Sequence, residues 1–237
     1  MANVERPELR SGDAAPDFKV AAVDRQGSVS LADYRERTPL FLAILRGLWC
    51  SYCRRYLVQL GSLRKRLDEL GIETLAIVAS DPDRVRLYTK FHPVRVRLGA
   101  DLALITHSSY GLPTSPRTPE LEHVSAQQRI RVDRFAVNPD DLSQLTAAIQ
   151  AVHRGSPIER EWPAPDIVRA TRTLYPYEMT KDEEEHRARN EALETGQFLI
   201  DRHGVIRWTR RQRATELPVG LGNYPSEDEI VAAAQRL

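Results

Sequence analysis

The sequence predicts an α/β fold built on a parallel sheet covered by helices, and three observations carry that expectation. Apolar runs at 39–45 and 72–79 read as strands buried on both faces. Between them Tyr52, Tyr56, Leu60, Leu63, Leu67 and Leu70 recur at spacings of three and four, with arginines and acids on the other side. That is an amphipathic helix over 51–70, stopped by Gly71. Strand, helix, strand, helix in this order requires crossover connections, which give parallel neighbours.

The remaining elements follow along the chain. Segments 19–23 and 29–31 flank a Gly-bearing turn at 24–27 and read as a hairpin. After the second buried strand, 81–91 forms a helix with Pro82 in its first turn, and 94–98 forms a further strand. Near the end, 197–201 and 205–209 are joined by Arg202-His-Gly204, an antiparallel hairpin whose turn Asp201 caps and whose tip leaves His203 solvated. Ser226-Glu-Asp-Glu229 is a capping box for a final helix carrying Ile230, Val231, Ala234 and Leu237. Between the halves, 113–195 holds eight of the 15 prolines, with helix candidates at 141–153 and 180–193. Its apolar content is too thin for a separate core, so it reads as an insertion within a single domain spanning 1–237. Because it enters the last hairpin directly, part of it is expected to border the site described next.

Composition removes several functions. Lys and Arg total 34 against 33 Asp and Glu, a balance that argues against nucleic acid or an anionic membrane surface as partner. The apolar runs are far short of a membrane span, and the first 13 residues lack the apolar core of a signal peptide, so a cytoplasmic chain is expected. Only four of the 34 cations are lysine, which reads as codon bias rather than a demand for guanidinium groups.

All the cysteine is in one place, Trp49-Cys-Ser-Tyr-Cys53, where the first buried strand gives way to the amphipathic helix. A thiol at a helix N-terminus meets unpaired backbone N–H groups and the positive end of the dipole, which favour thiolate. Arg46, Arg54 and Arg55 add positive charge, although Arg46 reads equally well as a solvated arginine. Cys53, one turn later, is placed to attack a mixed disulfide or sulfenic acid on Cys50. Zinc would need two more ligands from six histidines, none paired at ligand spacing, so no metal and no cofactor is expected. A lone cysteine here would be ordinary core, whereas a pair at this junction points to thiol chemistry. Trp49 reads as core or site wall, Tyr52 and Tyr56 as core, and the acidic run 182–185 as an exposed helix start.

Trp49-Cys-x-x-Cys53-Arg54 after a buried strand resembles the thioredoxin superfamily. Gly12-Asp-Ala-Ala-Pro-Asp-Phe18, Leu31-Ala-Asp-Tyr34 and Phe198-Leu-Ile-Asp-Arg-His-Gly-Val-Ile-Arg207 resemble its peroxiredoxin branch, the alkyl hydroperoxide reductase / thiol-specific antioxidant family. Arg46-Gly-Leu-Trp-Cys-Ser-Tyr-Cys-Arg54 is similar to the segment Arg-Gly-x-Trp-Cys-Pro-Tyr-Cys-Arg of peroxiredoxin-like members. The resemblance covers about 13–112 and 195–237. It implies a thioredoxin-like fold with an N-terminal β-hairpin and a long insertion before the C-terminal β-hairpin and helix. Two positions depart from the family habit: Gly47 replaces a Thr or Ser whose hydroxyl contacts peroxide, and Thr195 replaces an Arg; Gly196 stands where thioredoxins have a cis-proline. Ser51 replaces a proline inside the motif.

The resemblance implies a thiol-dependent oxidoreductase that reduces hydroperoxides or disulfides. Cys50 would be the attacking thiolate and Cys53 the resolving thiol, with Arg46, Gly47, Trp49, Arg54, Thr195 and Gly196 as site neighbours. Thioredoxin or glutathione would be the reductant, and a homodimer is compatible with the family. The alternative is a non-enzymatic redox sensor or interaction protein using a reversible Cys50–Cys53 disulfide.

Overall fold

The computed structural model describes residues 8–114, 177–190, 193–212 and 224–237 in full, and the backbone alone at 129–131 and 161–163. The elements run β1 Lys19–Ala22, β2 Ser28–Ser30, β3 Leu40–Leu45, α1 Ser51–Asp68, β4 Glu73–Val78, α2 Pro82–Phe91, β5 Arg97–Ala100 and α3 Ile105–Ser109. They continue as β6 Arg129–Arg131, β7 Glu161–Pro163, α4 Lys181–Arg189, β8 Thr195–Ile200, β9 Ile206–Gln212 and α5 Glu227–Ala234. A seven-stranded sheet has the order β2-β1-β5-β4-β3-β8-β9. Its centre, β3, β4 and β5, is parallel, and the flanking pairs are antiparallel.

All six residues of β3 are buried because the sheet is covered on both sides. Phe41, Ala43 and Leu45 face one layer with Leu57, Leu60, Leu63 and Leu67 of α1 and Ile230 of α5. Leu40, Leu42 and Ile44 face the other, with Phe18, Tyr34, Tyr110 and Phe198. Full burial of each such leucine contributes about 1.5–3 kcal/mol. The two faces explain why the run shows no polar alternation. α1 and α5 lie side by side, tied by Arg66 to Asp228 at 2.9 Å.

Strand β5 begins at Arg97 and ends at Ala100, three residues later at its start than the sequence suggests and two later at its end. Its register, Leu75 with Arg97 through Val78 with Ala100, runs through Gly99. A Cβ on Gly99 would lie 2.6 Å from Val20 Cγ2 and 3.3 Å from Ile77 Cγ1, so β1 closes on β5 only because that atom is missing. Counting apolar side chains ends the strand where the packing requires glycine. The last hairpin is longer than expected because β9 is an edge strand whose polar residues, such as Arg210, still pair with β8. Asp201 caps its turn as expected, its Oδ1 accepting from the N–H groups of His203 and Val205 at 2.9 Å each.

The segment between the halves leaves and re-enters at one point. The N–H of Glu194 donates to Pro113 O at 3.1 Å, and Thr114 Oγ1 donates to Asn190 Oδ1 at 2.7 Å. Within it β6 and β7 form a separate antiparallel pair. α4 is shorter than the expected 180–193, because Thr180 serves as its cap, reciprocated by Glu183, and Asn190 ends it. The expected helix at 141–153 lies outside the described residues. Replacing Gly99 by Ala is expected to lower unfolding free energy by about 1–3 kcal/mol through the collision with Val20, measured as a shifted denaturant midpoint.

Candidate active site

Strand β3 delivers the chain into a tight turn. The N–H of Cys50 donates to Gly47 O at 2.9 Å, and Leu48 N–H donates to Ser80 Oγ at 2.9 Å, pinning the turn beyond the end of β4. Cys50 is the N-cap of α1, and its sulfur accepts from Cys53 N–H at 3.3 Å. Sulfur thus takes the place usually held by a Ser or Asp oxygen. The first turn of α1 carries no acidic residue to compete for the positive helix end. Both cysteines are free and buried, Cys50 at 5% exposure and Cys53 at 1%.

Arg46 is buried rather than solvated, close enough to the cysteines to feel their charge. Burial works against its charge, but the neighbouring sulfurs, Cys50 foremost, oppose that loss and keep it protonated. For Cys50, burial pushes the thiol up. The Cys53 thiol hydrogen bond, Arg46, the Cys53 N–H and Arg54 together outweigh burial and bring it down to about 5. Cys53 moves the opposite way, raised by burial and by its hydrogen bond and proximity to the Cys50 charge. The pair therefore holds one thiolate and one thiol at neutral pH.

Of the other expected neighbours, Thr195 joins the site through Gln212. Thr195 Oγ1 and Arg46 Nη2 both donate to Gln212 Oε1, at 3.2 and 3.5 Å. The pleat turns Gly196 to the opposite layer, where an added Cβ would meet Phe198 Cε2 at 2.7 Å and Leu112 Cδ2 at 3.1 Å. Gly47 has its side-chain space taken: a Cβ would lie 2.5 Å from Trp49 Nε1 and 2.7 Å from Ala79 O. Trp49 is thus a wall of the turn rather than distant core. Arg46 Nε and Trp49 Nε1 are buried and have no hydrogen-bond partner among the described residues.

Three residues that sequence reasoning missed complete the surroundings. Gln212 ends an edge strand and carries no motif. Tyr224 places its hydroxyl 3.5 Å from Cys53 Sγ and stacks on Tyr56, with ring centroids 3.9 Å apart. Its only signal was an aromatic ring two residues ahead of a helix cap. Tyr177, in the proline-rich segment, lies under the Arg54 guanidinium at 5.0 Å, while Arg54 also donates to Leu48 O. Tyr177 donates to Glu183 Oε1 and accepts from Arg84 Nη2 at 3.2 Å, so residues 177–183 are docked against α1 and α2 beside the cysteine turn. Among the described residues no cluster of three His, Cys, Asp or Glu is placed to hold a metal ion. Nor is any described helix long and apolar enough to cross a membrane.

Comparison with known proteins adds the following. The sequence model of the AhpC/TSA family matches residues 11–132, just over half of the chain. No curated protein matches the sequence. Among solved structures, the reduced 2-Cys peroxiredoxin of Plasmodium vivax aligns over 95% of this chain and 94% of its own at 12% identity, TM-score 0.53. A peroxiredoxin-like protein from Aquifex aeolicus aligns over 98% and 90% at 13% identity, TM-score 0.53. Peroxidoxin BcpB from Mycobacterium tuberculosis aligns over 97% and 99% at 9% identity, TM-score 0.52. At these identities the likeness is one of fold, a thioredoxin-like sheet with its helices.

Two measurements follow from the geometry. Alkylation of Cys50 should reach its plateau above about pH 6 and fall about tenfold per unit below its midpoint near 5. Arg46→Met should raise that midpoint by about one to three pH units, and a wild-type midpoint near the ordinary thiol value would contradict the electrostatics. Gly47→Ser should cost about 1–3 kcal/mol in stability, read by chemical denaturation, because its Cβ displaces the Trp49 indole.

Proposed function

Because the chain belongs to the AhpC/TSA family and is a thiol-dependent oxidoreductase, we propose that it reduces hydroperoxides with Cys50 as nucleophile and Cys53 as resolving thiol. One observation carries this reading: a buried Cys50 sulfur at the N-terminus of α1, accepting from Cys53 N–H with the Arg46 charge beside it. The thiolate attacks the terminal oxygen of the hydroperoxide. The O–O bond breaks, the leaving oxygen takes a proton and departs as the alcohol, and Cys50 becomes a sulfenic acid. Arg46 Nε and Trp49 Nε1, the buried donors without a partner among the described residues, are available to hydrogen-bond that oxygen where Gly47 offers no hydroxyl.

Cys53 then attacks the sulfenic sulfur, water leaves, and a Cys50–Cys53 disulfide forms. A thioredoxin-type dithiol or two glutathiones supply the electrons that reopen it. At 5% exposure Cys50 favours a small hydroperoxide over a protein disulfide as its oxidant. In this reading the chain is one thioredoxin-like domain working in a reducing compartment such as the cytoplasm. Residues 113–195 are an insertion in it, and Tyr177 of that insertion braces Arg54.

The test is one equivalent of hydrogen peroxide followed by intact mass and thiol count. Wild type is expected to lose two hydrogens and both thiols, Cys53→Ser to gain one oxygen, and Cys50→Ser to stay unchanged. Wild type that keeps both thiols, while Cys50 still alkylates at neutral pH, would refute the peroxidase reading. A disulfide that forms once and supports no turnover with either class of reductant would favour the redox-sensor alternative.

A further inference from the structure

Tyr224 stands next to the second sulfur, and the two-cysteine scheme gives it no task. Its hydroxyl oxygen is 3.5 Å from Cys53 Sγ. Its ring lies flat on Tyr56 of α1, 3.9 Å between centroids and 5° between planes, and Tyr56 is itself buried. Two residues on, Ser226 accepts from Glu229 N–H at 3.1 Å and starts α5, which is fastened to α1 by Arg66 and Asp228. The phenol is therefore held from two directions.

In the reduced pair either atom of this contact can donate. Once Cys53 gives up its proton only lone pairs remain on its sulfur, so Tyr224 O–H is then the donor and Cys53 Sγ the acceptor.

We infer that Tyr224 is a catalytic donor of the resolving step, its O–H stabilising the negative charge that grows on Cys53 Sγ as that sulfur attacks oxidised Cys50. In that step the Cys53 S–H bond and the Cys50 S–O bond break, and the S–S bond forms. The Cys53 proton leaves with the hydroxyl as water. Tyr224 keeps its own proton throughout, since burial and the neighbouring thiol charges push its hydroxyl well above the ordinary range. The reaction assigned here rests on the hydroperoxide reading, whereas the hydrogen bond to Cys53 does not.

Tyr224→Phe keeps the ring and its stack and removes only the donor. Reduced wild type and variant are mixed rapidly with hydrogen peroxide, and the sulfenic acid is trapped with dimedone at increasing times. The sulfenic acid should persist about three- to tenfold longer in Tyr224→Phe, relative to its rate of formation. An unchanged lifetime overturns the inference. The second measurement is the pH dependence of Cys53 alkylation in a Cys50→Ser background, where adding Tyr224→Phe should move the midpoint upward. An unmoved midpoint also overturns the inference, and a merely structural role would leave it unmoved. Wild type that forms no sulfenic acid refutes the hydroperoxide reading alone, and the Cys53 midpoint then decides the role of Tyr224.

Discussion

A guanidinium taken out of water needs a negative partner, and in this protein the partner is a thiolate. Arg46 is 7% exposed and Cys50 5%. Removing either ion from water costs several kcal/mol, offset only while both are present and hydrogen-bonded. The rest of the site serves that pair. The tight turn after β3 brings the two within one segment, α1 offers its N–H groups, and Gln212 holds the far end of the guanidinium. Breaking the pair from one side would strand the other charge in the core.

The arrangement uses different residues from the family habit set out in the sequence analysis. The cation beside the sulfur comes from Arg46, ahead of the turn, while Thr195 stands on β8 where that habit has arginine and only steadies Gln212. An indole fills the space in which a Thr or Ser side chain would project, since Trp49 Nε1 lies 2.5 Å from the Cβ that Gly47 lacks. Gly47 and Trp49 are thus one structural decision rather than two. Restoring the hydroxyl would require moving the ring, so the departure from the habit is built into the packing.

How much of this was legible in the sequence depended on where each partner comes from. The core strands, α1 and the cysteine junction were readable because their signals are local: continuous burial at 40–45, helical spacing from Tyr52 to Leu67, and two thiols one turn apart. β5 was misplaced because Gly99 contributes no side chain to count, although its missing Cβ decides how closely β1 approaches. Gly196 was grouped with the site because it stands where thioredoxins have a cis-proline, and the alternation of the strand turns the space its side chain would take to the other face. Gln212 and Tyr224 were invisible for another reason. They lie more than 160 positions from Arg46 and Cys53, in segments without periodicity, and only the folded sheet brings them together.

The cap of α1 has a consequence beyond reactivity. The sulfur that accepts from Cys53 N–H is also the group that closes the first turn of the helix. A thiolate is a much stronger acceptor than a sulfur bonded to oxygen or to another sulfur. In the proposed cycle, oxidation of Cys50 would withdraw helix-capping energy at the same moment as it consumes the nucleophile, and reduction would restore both. The first turn of α1 would then be firmest when the protein is charged with electrons and loosest when it is spent, the chemical state of the cap sulfur setting how tightly the 18-residue helix begins.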